Sequence, residues 1–390
     1  MSELNLTDNK FIQFHQKIGF KFDGVKYYGY KGDTIASALL RNNIKLIGRS
    51  FKYHRPRGFY TCGIEEPNAL VQIISEYSEP NTRATIKKIY EGMEIESQNR
   101  WPSLETDIGS INNIFSPVFP AGFYYKTFMG PHKNFWKKIY EPIIRKAAGL
   151  GKPPKEFKAV STHLYHNVDI TIVGGGLNGL IAAKSLIDTK YSVLLIDFDD
   201  QLGGILNNSN KVQSVNNQTP MDWISETVKE IENSKNIKIL KNTLVTTYNY
   251  INHLIAVEDK FVGSRPLKDK VNSTLHKIRT DQVILCNGHI ERFLSFQNND
   301  LPGIMLCSSF EKYMCRYGVI PSKETVVFSN NSNSESLVFS LIKKGFKPKA
   351  YIDSRSGENI EPDLFDLIRK NDIPLYLSLI HISEPTRPLY

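Results

Sequence analysis

The chain has 390 residues, 41% hydrophobic and 23% charged, with a formal net charge of +9 at pH 7. That composition is ordinary for a globular protein of two or three domains. No apolar run approaches the ~20 residues that cross a bilayer, and the polar start MSELNLTDNK lacks the basic-then-apolar pattern of a signal peptide, so a cytoplasmic protein without membrane contact is expected.

The four cysteines are Cys62, Cys286, Cys307 and Cys315, with no CxxC pair among them. They suggest neither a disulfide framework nor a zinc site, and no metal ligand set is expected. The charge is uneven. Residues 1–168 hold 24 Lys+Arg against 15 Asp+Glu, and the remainder holds 25 of each. A basic first part suits nucleic acid, a phosphate-bearing cofactor or an acidic partner.

In chain order, Phe20–Tyr30 alternates around Asp23-Gly24, a two-residue hairpin signal. Asp33 is a good N-cap for the amphipathic stretch TIASALLRNN. A basic, aromatic loop follows, GRSFKYHRPRGFYTCGIEEPNALVQI, from Gly48 to Ile73. Asn68–Ser78 and Arg83–Tyr90 then read as strands. Hairpin, helix, long loop and strands give the order of a ferredoxin-like β-grasp domain over 1–98.

The loop sits where a plant-type ferredoxin carries its C-x₄-C-x₂-C ligands. From Cys62 that spacing needs cysteines at 67 and 70, where this chain has Pro67 and Leu70. A cluster-less domain is therefore expected. Arg49, Lys52, His54, Arg55 and Arg57 are expected to face a partner subunit or a flavin phosphate rather than nucleic acid.

Residues 99–167 are rich in Pro, Gly and aromatics with little period. They read as an extended connecting segment in which Trp101, Phe123, Tyr124, Phe128 and Trp136 are packing anchors. From Val168 a Rossmann-type FAD/NAD(P)-binding domain is expected to run to 376. The overall expectation is α/β with an α+β N-terminal domain.

Gly174-Gly175-Gly176-Leu177-Asn178-Gly179 forms GxGxxG between the apolar strand Ile170–Val173 and a helix, Leu180–Leu186. A second strand, Val193–Ile196, ends in Asp197. Order and spacing are those of a dinucleotide fingerprint. Gly174 permits the tight turn, Gly176 a close approach of backbone to pyrophosphate, and Gly179 close helix–strand packing. The helix N-terminus offers N–H groups to phosphate. Asp197 suits ribose hydroxyls and repels a 2′-phosphate, favouring NAD or FAD over NADP. Gly203 and Gly204 let the chain pass near the cofactor, and Gly288 ends the later strand Val283–Gly288. Residues 237–258 read as a small meander. Thr325–Asp353 reads as a second βαβ unit, with SNNSNSES where a glycine fingerprint would stand.

Several stretches, among them GDTIASALLRNNIKLIGRSFKYHRPRGFYTCGIEEPNALVQI, YEPIIRKAAGLG, DITIVGGGLNGL, VILCNGHIERFLSFQNNDLPGIML and VVFSNN, resemble the alpha subunits of heterotetrameric sarcosine oxidase. The resemblance covers nearly all of the chain to about Tyr376. It implies a subunit of a complex that oxidises sarcosine to glycine, with hydrogen peroxide and formaldehyde or methylene-tetrahydrofolate as further products. It implies NAD at Gly174, Gly176, Gly179 and Asp197, FMN at the boundary with a beta subunit, and FAD within that beta subunit. It further implies gamma and delta subunits in the complex, and a tetrahydrofolate site in a C-terminal part expected to be missing from this chain. No catalytic residue for amine oxidation carries over. Leu177 and Asn178 depart from the commoner Pro-Ala. The last residues, 377–390, break the pattern and read as a non-native tail on a fragment, expected to be inactive alone. Alternatives are an alpha-type subunit of an amine, opine or proline dehydrogenase, a self-contained flavoprotein, and a basic nucleic-acid-binding module.

Overall fold

A computed structural model describes residues 10–74, 78–118, 130, 132–147, 151, 160–209, 212–267, 270–355 and 360–377. Phe123, Tyr124, Phe128 and all of the expected tail except Leu377 lie outside these residues.

The N-terminal part is a ferredoxin-like β-grasp. Asp23 and Gly24 both take positive φ (+49° and +82°) and close the hairpin of β1 (Gln13–Phe22) and β2 (Val25–Lys31). This is the conformation that the Asp-Gly pair favours. The short strands β3 (Gly48–Arg49) and β4 (Pro56–Arg57) pair within the basic loop. β5 (Leu70–Ile74), β6 (Glu79–Arg83) and β7 (Met93–Ser97) complete a sheet ordered β2-β1-β7-β5-β6, with β1 and β7 parallel. Phe20, Ile35, Leu39, Val71, Ile73, Met93 and Ile95 form its core.

Two local expectations fail here. The Ile35–Arg41 helix is capped by Thr34, in a reciprocal capping box with Ser37, and not by Asp33. Asp33 is instead a fully buried partner of Arg41, at 2.9 Å. Arg83–Tyr90 is not a strand beyond its first residue. Ala84 and Thr85 turn inward, and the pairing strand is β7, whose Met93 and Ile95 fill the core.

The second part is a Rossmann-type domain. Strands β8 (Val160–Val173), β9 (Val193–Ile196), β10 (Ile237–Leu240), β11 (Thr243–Asn249), β12 (His253–Asp259) and β13 (Val271–Leu285) lie in the order β10-β9-β8-β13-β12-β11. The first four are mutually parallel, and the expected meander supplies the antiparallel β11 and β12. The second βαβ unit forms a separate parallel sheet of β14 (Val326–Ser329), β15 (Ala350–Asp353) and β16 (Leu375–Leu377). Ser334 of its polar loop hydrogen-bonds Ser329 at 2.6 Å and Tyr351 at 3.0 Å, a structural use of SNNSNSES.

One helix, Cys307–Tyr317, ties these units together and ends at left-handed Gly318. Tyr313 and Tyr317 enter the β-grasp core. Phe310 and Met314 enter the core of the β14–β16 unit. Glu311 accepts hydroxyl hydrogen bonds from Ser336 and Ser340 there, the latter at 2.7 Å. Glu291 accepts the Ser308 N–H at 2.8 Å and caps the helix start.

The basic loop turns inward as well. Arg49 donates to the carbonyl of Leu104, 2.9 Å from Nε. The ring of His54 meets buried Asp107 at 2.6 Å. Arg55 grips Asp300 with two bonds of 2.7 Å, and Arg57 joins them. The expectation that Arg55 and Arg57 face a partner or a flavin phosphate is therefore corrected. A carboxylate 245 residues from Arg55 in the chain already holds both. Trp101 is 65% exposed, so among the described residues it is not the packing anchor expected there.

Hydrogen bonding to Arg55, with Arg57 beside it, holds the Asp300 carboxyl well below the usual carboxylate range. A depressed folded pKa contributes stability that is present above the ordinary value of about 3.9 and is lost as the pH falls below it. Asp300→Asn should lower the melting temperature at pH 7 and flatten its fall on acidification below about pH 4. Melting curves from pH 3 to pH 7 check both outcomes.

Candidate dinucleotide-binding site

The fingerprint glycines occupy the carboxyl end of β8, where ligands enter open α/β sheets. Gly174 has φ +104°, and a Cβ on it would lie 2.3 Å from the carbonyl oxygen of Cys286. The loop after β13 therefore passes directly against this turn, and the Cys286 N–H bonds Val173 at 2.7 Å. A Cβ on Gly179 would lie 1.8 Å from the carbonyl oxygen of Gly174, so only glycine lets this helix sit on this strand. The helix spans Leu177–Ser185, starting three residues earlier than expected, and Gly176 gives it no side-chain cap. Its first-turn N–H groups are available at the site. Asn178 is exposed on that turn.

Gly203 and Gly204 close the other side. Gly203 bridges Gly176, and its N–H bonds the carbonyl of Gly175 at 2.8 Å. Gly204 has φ +54°, and a Cβ there would lie 2.9 Å from the Cα of Gly176. Gly288 has φ +74° with open space around it. Eight of the nine sequence-derived positions thus meet in one cradle or abut it, and Gly288 follows the segment touching Gly174.

Asp197 closes the cradle. One carboxyl oxygen accepts the Gly175 N–H and the other accepts the Asp199 N–H at 2.7 Å. Burial pushes its pKa up, opposed by those two N–H groups. Each oxygen retains a further lone pair.

The sequence reading missed the charges behind Asp197. Asp199 and Asp200 both receive the buried Arg316 guanidinium of the Cys307–Tyr317 helix, Asp200 at 3.2 Å, and Lys88 of the β-grasp pairs with Asp200. Burial opposes the Arg316 charge, but the two carboxylates outweigh it and raise its pKa. The acidic run DFDD was the available signal, since three adjacent carboxylates need cations. A cavity of about 1180 Å³ lies elsewhere, between the 289–307 segment and the ends of β14 and β15, and it includes His289.

Residues 172–238 match an NAD(P)-binding Rossmann-like domain, and residues 15–100 match a 2Fe-2S iron-sulfur cluster binding domain. The chain is 38% identical over 365 residues to the sarcosine oxidase subunit alpha of Rhizobium meliloti (strain 1021), covering 93% of this chain and 37% of the relative. It is 28% identical over 341 residues to that of Corynebacterium sp. (strain P-1), covering 86% and 30%. The chain thus spans about a third of the length of the curated relatives it matches. The crystal structure of L-proline dehydrogenase from P. horikoshii shares the fold, with a TM-score of 0.59 and 20% identity over 97% of this chain and 62% of that one. Among the described residues no helix is long and apolar enough to cross a membrane.

The residues present do not fit a 2Fe–2S cluster. Cys62 is the only cysteine within 15–100, and it is 2% exposed in the core. Burial pushes its thiol up to about 12, so it is a protonated core residue rather than a thiolate. Among the described residues no three His, Cys, Asp or Glu side chains are grouped to hold a metal.

The two glycines Gly179 and Gly288 should respond differently to alanine. Gly179→Ala drives a methyl group into a backbone carbonyl and should cost about 2–3 kcal/mol. Gly288→Ala meets only the left-handed backbone cost of about 1 kcal/mol. Urea denaturation of both variants measures the difference.

Proposed function

We propose that this chain, which is similar to sarcosine oxidase alpha subunits, supplies such a subunit's dinucleotide-binding part. The carrying observation is the cradle itself. Gly174, Gly175, Gly176 and Gly179 bring backbone N–H groups and an uncapped helix start to one point, and Gly203 and Gly204 approach within a Cβ's width. That is a receptor for a pyrophosphate.

NAD fits this site better than NADP. Asp197 stands at the ribose end, and Asp199 and Asp200 behind it are already paired with Arg316 and Lys88. A 2′-phosphate would meet carboxylate and would find Arg316 engaged. In this reading the chain's residues bind and orient the dinucleotide, with Asn178 at the helix start and Gly288 on the opposing loop. No residue of this chain is assigned to amine oxidation. When bound, NAD would supply the site's redox chemistry.

The remaining assignments rest on the homology. The assembled enzyme acts on a CH–NH donor, sarcosine, releasing glycine and hydrogen peroxide, with the one-carbon unit leaving as formaldehyde or methylene-tetrahydrofolate. FMN lies at the boundary with a beta subunit, FAD lies in that subunit, and gamma and delta subunits complete the assembly. This chain alone does not turn over. We further infer a β-grasp unit to about residue 98 and a Rossmann-type unit from about 168.

Titration calorimetry of the purified chain should show NAD binding and at least tenfold weaker NADP binding, a difference of about 1.4 kcal/mol. Asp197→Asn should narrow that ratio, because the amide removes the charge facing a 2′-phosphate. Equal affinities for the two nucleotides, or stoichiometric FAD retained by the chain, would contradict the assignment. Oxygen uptake by the assembled complex with sarcosine, and not with proline, tests the substrate.

A further inference from the structure

The cluster-type match and the missing ligands raise the question of what organises the 60–69 loop. Backbone N–H groups that converge on one point form an anion receptor, as they do at many iron–sulfur sites. In this loop four such groups converge, and a side chain of the loop itself fills the point. Oε2 of Glu66 accepts the Tyr60 N–H at 3.0 Å, the Thr61 N–H at 2.7 Å and the Thr61 hydroxyl at 3.1 Å. Oε1 accepts the Asn68 N–H at 2.8 Å and the Ala69 N–H at 3.1 Å. Glu66 is 1% exposed.

We propose that the Glu66 carboxylate is the built-in replacement for a 2Fe–2S cluster in this domain: the fixed anion around which the ligand loop folds without iron.

Every one of these partners is an N–H or a hydroxyl, as a carboxylate with its several lone pairs requires. Burial pushes the Glu66 pKa up, while the N–H groups of Thr61, Asn68 and Ala69 pull it down. A cluster at this point would need the loop to open, because the side chain already saturates the donors that would face its sulfides. The sequence position agrees. Glu66 stands one residue before Pro67, the first of the two positions where the ferredoxin spacing from Cys62 calls for cysteine.

The filled loop has a different task, which is to hold the Cys307–Tyr317 helix. The carbonyl of Tyr60 accepts the N–H of Leu306, and that of Thr61 accepts the Tyr313 hydroxyl, both at 3.0 Å. Both acceptors belong to residues whose own N–H groups bind Glu66. The domain has become a mechanical element and carries no electrons.

The test uses the whole chain, expressed with added iron and cysteine. Iron and acid-labile sulfide should fall far below one per chain, and a chelator should leave the melting temperature unmoved. Glu66→Gln turns an amide NH₂ toward N–H groups and should lower the melting temperature by about 5 °C. Glu66→Ala should fall further and recover part of the loss in sodium formate, which leaves the unaltered chain unaffected. Stoichiometric iron and sulfide with a chelator-sensitive melt, or a Glu66→Gln variant as stable as the parent, would overturn the proposal. Should Glu66→Ala not fold, the metal assay and Glu66→Gln still decide it.

Discussion

The Cys307–Tyr317 helix is buried on several sides at once, and the sides belong to different units. Its i, i+4 pair Tyr313 and Tyr317 completes the β-grasp core, and Phe310 and Met314 complete the core of the β14–β16 sheet. Arg316, between these faces, reaches the end of β9. Such a helix cannot leave one neighbour without exposing a tyrosine or a methionine, or stranding a buried guanidinium. Removing one partner of a buried ion pair costs about 3–5 kcal/mol. The helix is thus a weld. Its ends are set by Glu291, 17 residues before Ser308, at the start and by the adjacent Gly318 at the finish.

The dinucleotide cradle depends on that weld through charge. Asp197, Asp199 and Asp200 stand within four residues at the end of β9. The cations that neutralise the last two come from elsewhere, Arg316 from the weld and Lys88 from the β-grasp. The acidic end of the cradle is therefore held jointly by that helix and by the β-grasp. Arg55 and Arg57 add a second fastening on Asp300, and the Glu66-centred loop adds a third on Tyr313. The N-terminal positive charge, suggestive of an external acidic partner, is at Arg55 and Arg57 met by Asp300 of the same chain.

How much was legible in the sequence follows from the range of each interaction. The cradle was legible because backbone conformation demands glycine at Gly174 and Gly204, and steric contact demands it at Gly179. The β-grasp was legible from Asp23-Gly24 and the alternation around it. The capping residue was misread because Asp33 and Thr34 are equally plausible locally, and a tertiary partner, Arg41, claims the aspartate. Arg83–Tyr90 was misread because its alternation serves a turn at the start of the Ile35–Arg41 helix, where the Lys87 and Ala84 carbonyls accept the N–H groups of Ile35 and Ala36. The partners of Arg55, Asp199 and Tyr313 were not legible, since no local period encodes a pairing between residues 117 or 252 positions apart. Glu66 is visible in the sequence at a ligand spacing shifted by one residue, but its acceptor role depends on four backbone directions that only the folded loop sets.

Native-state hydrogen exchange of the whole chain tests the weld most directly. If one helix closes the cores together, amides of residues 310–317 should exchange only through the same global opening as those of β5, β7, β8 and β9, with one free energy and one denaturant slope. Exchange of the helix through a smaller, separate opening, with both sheets still protected, would contradict the account.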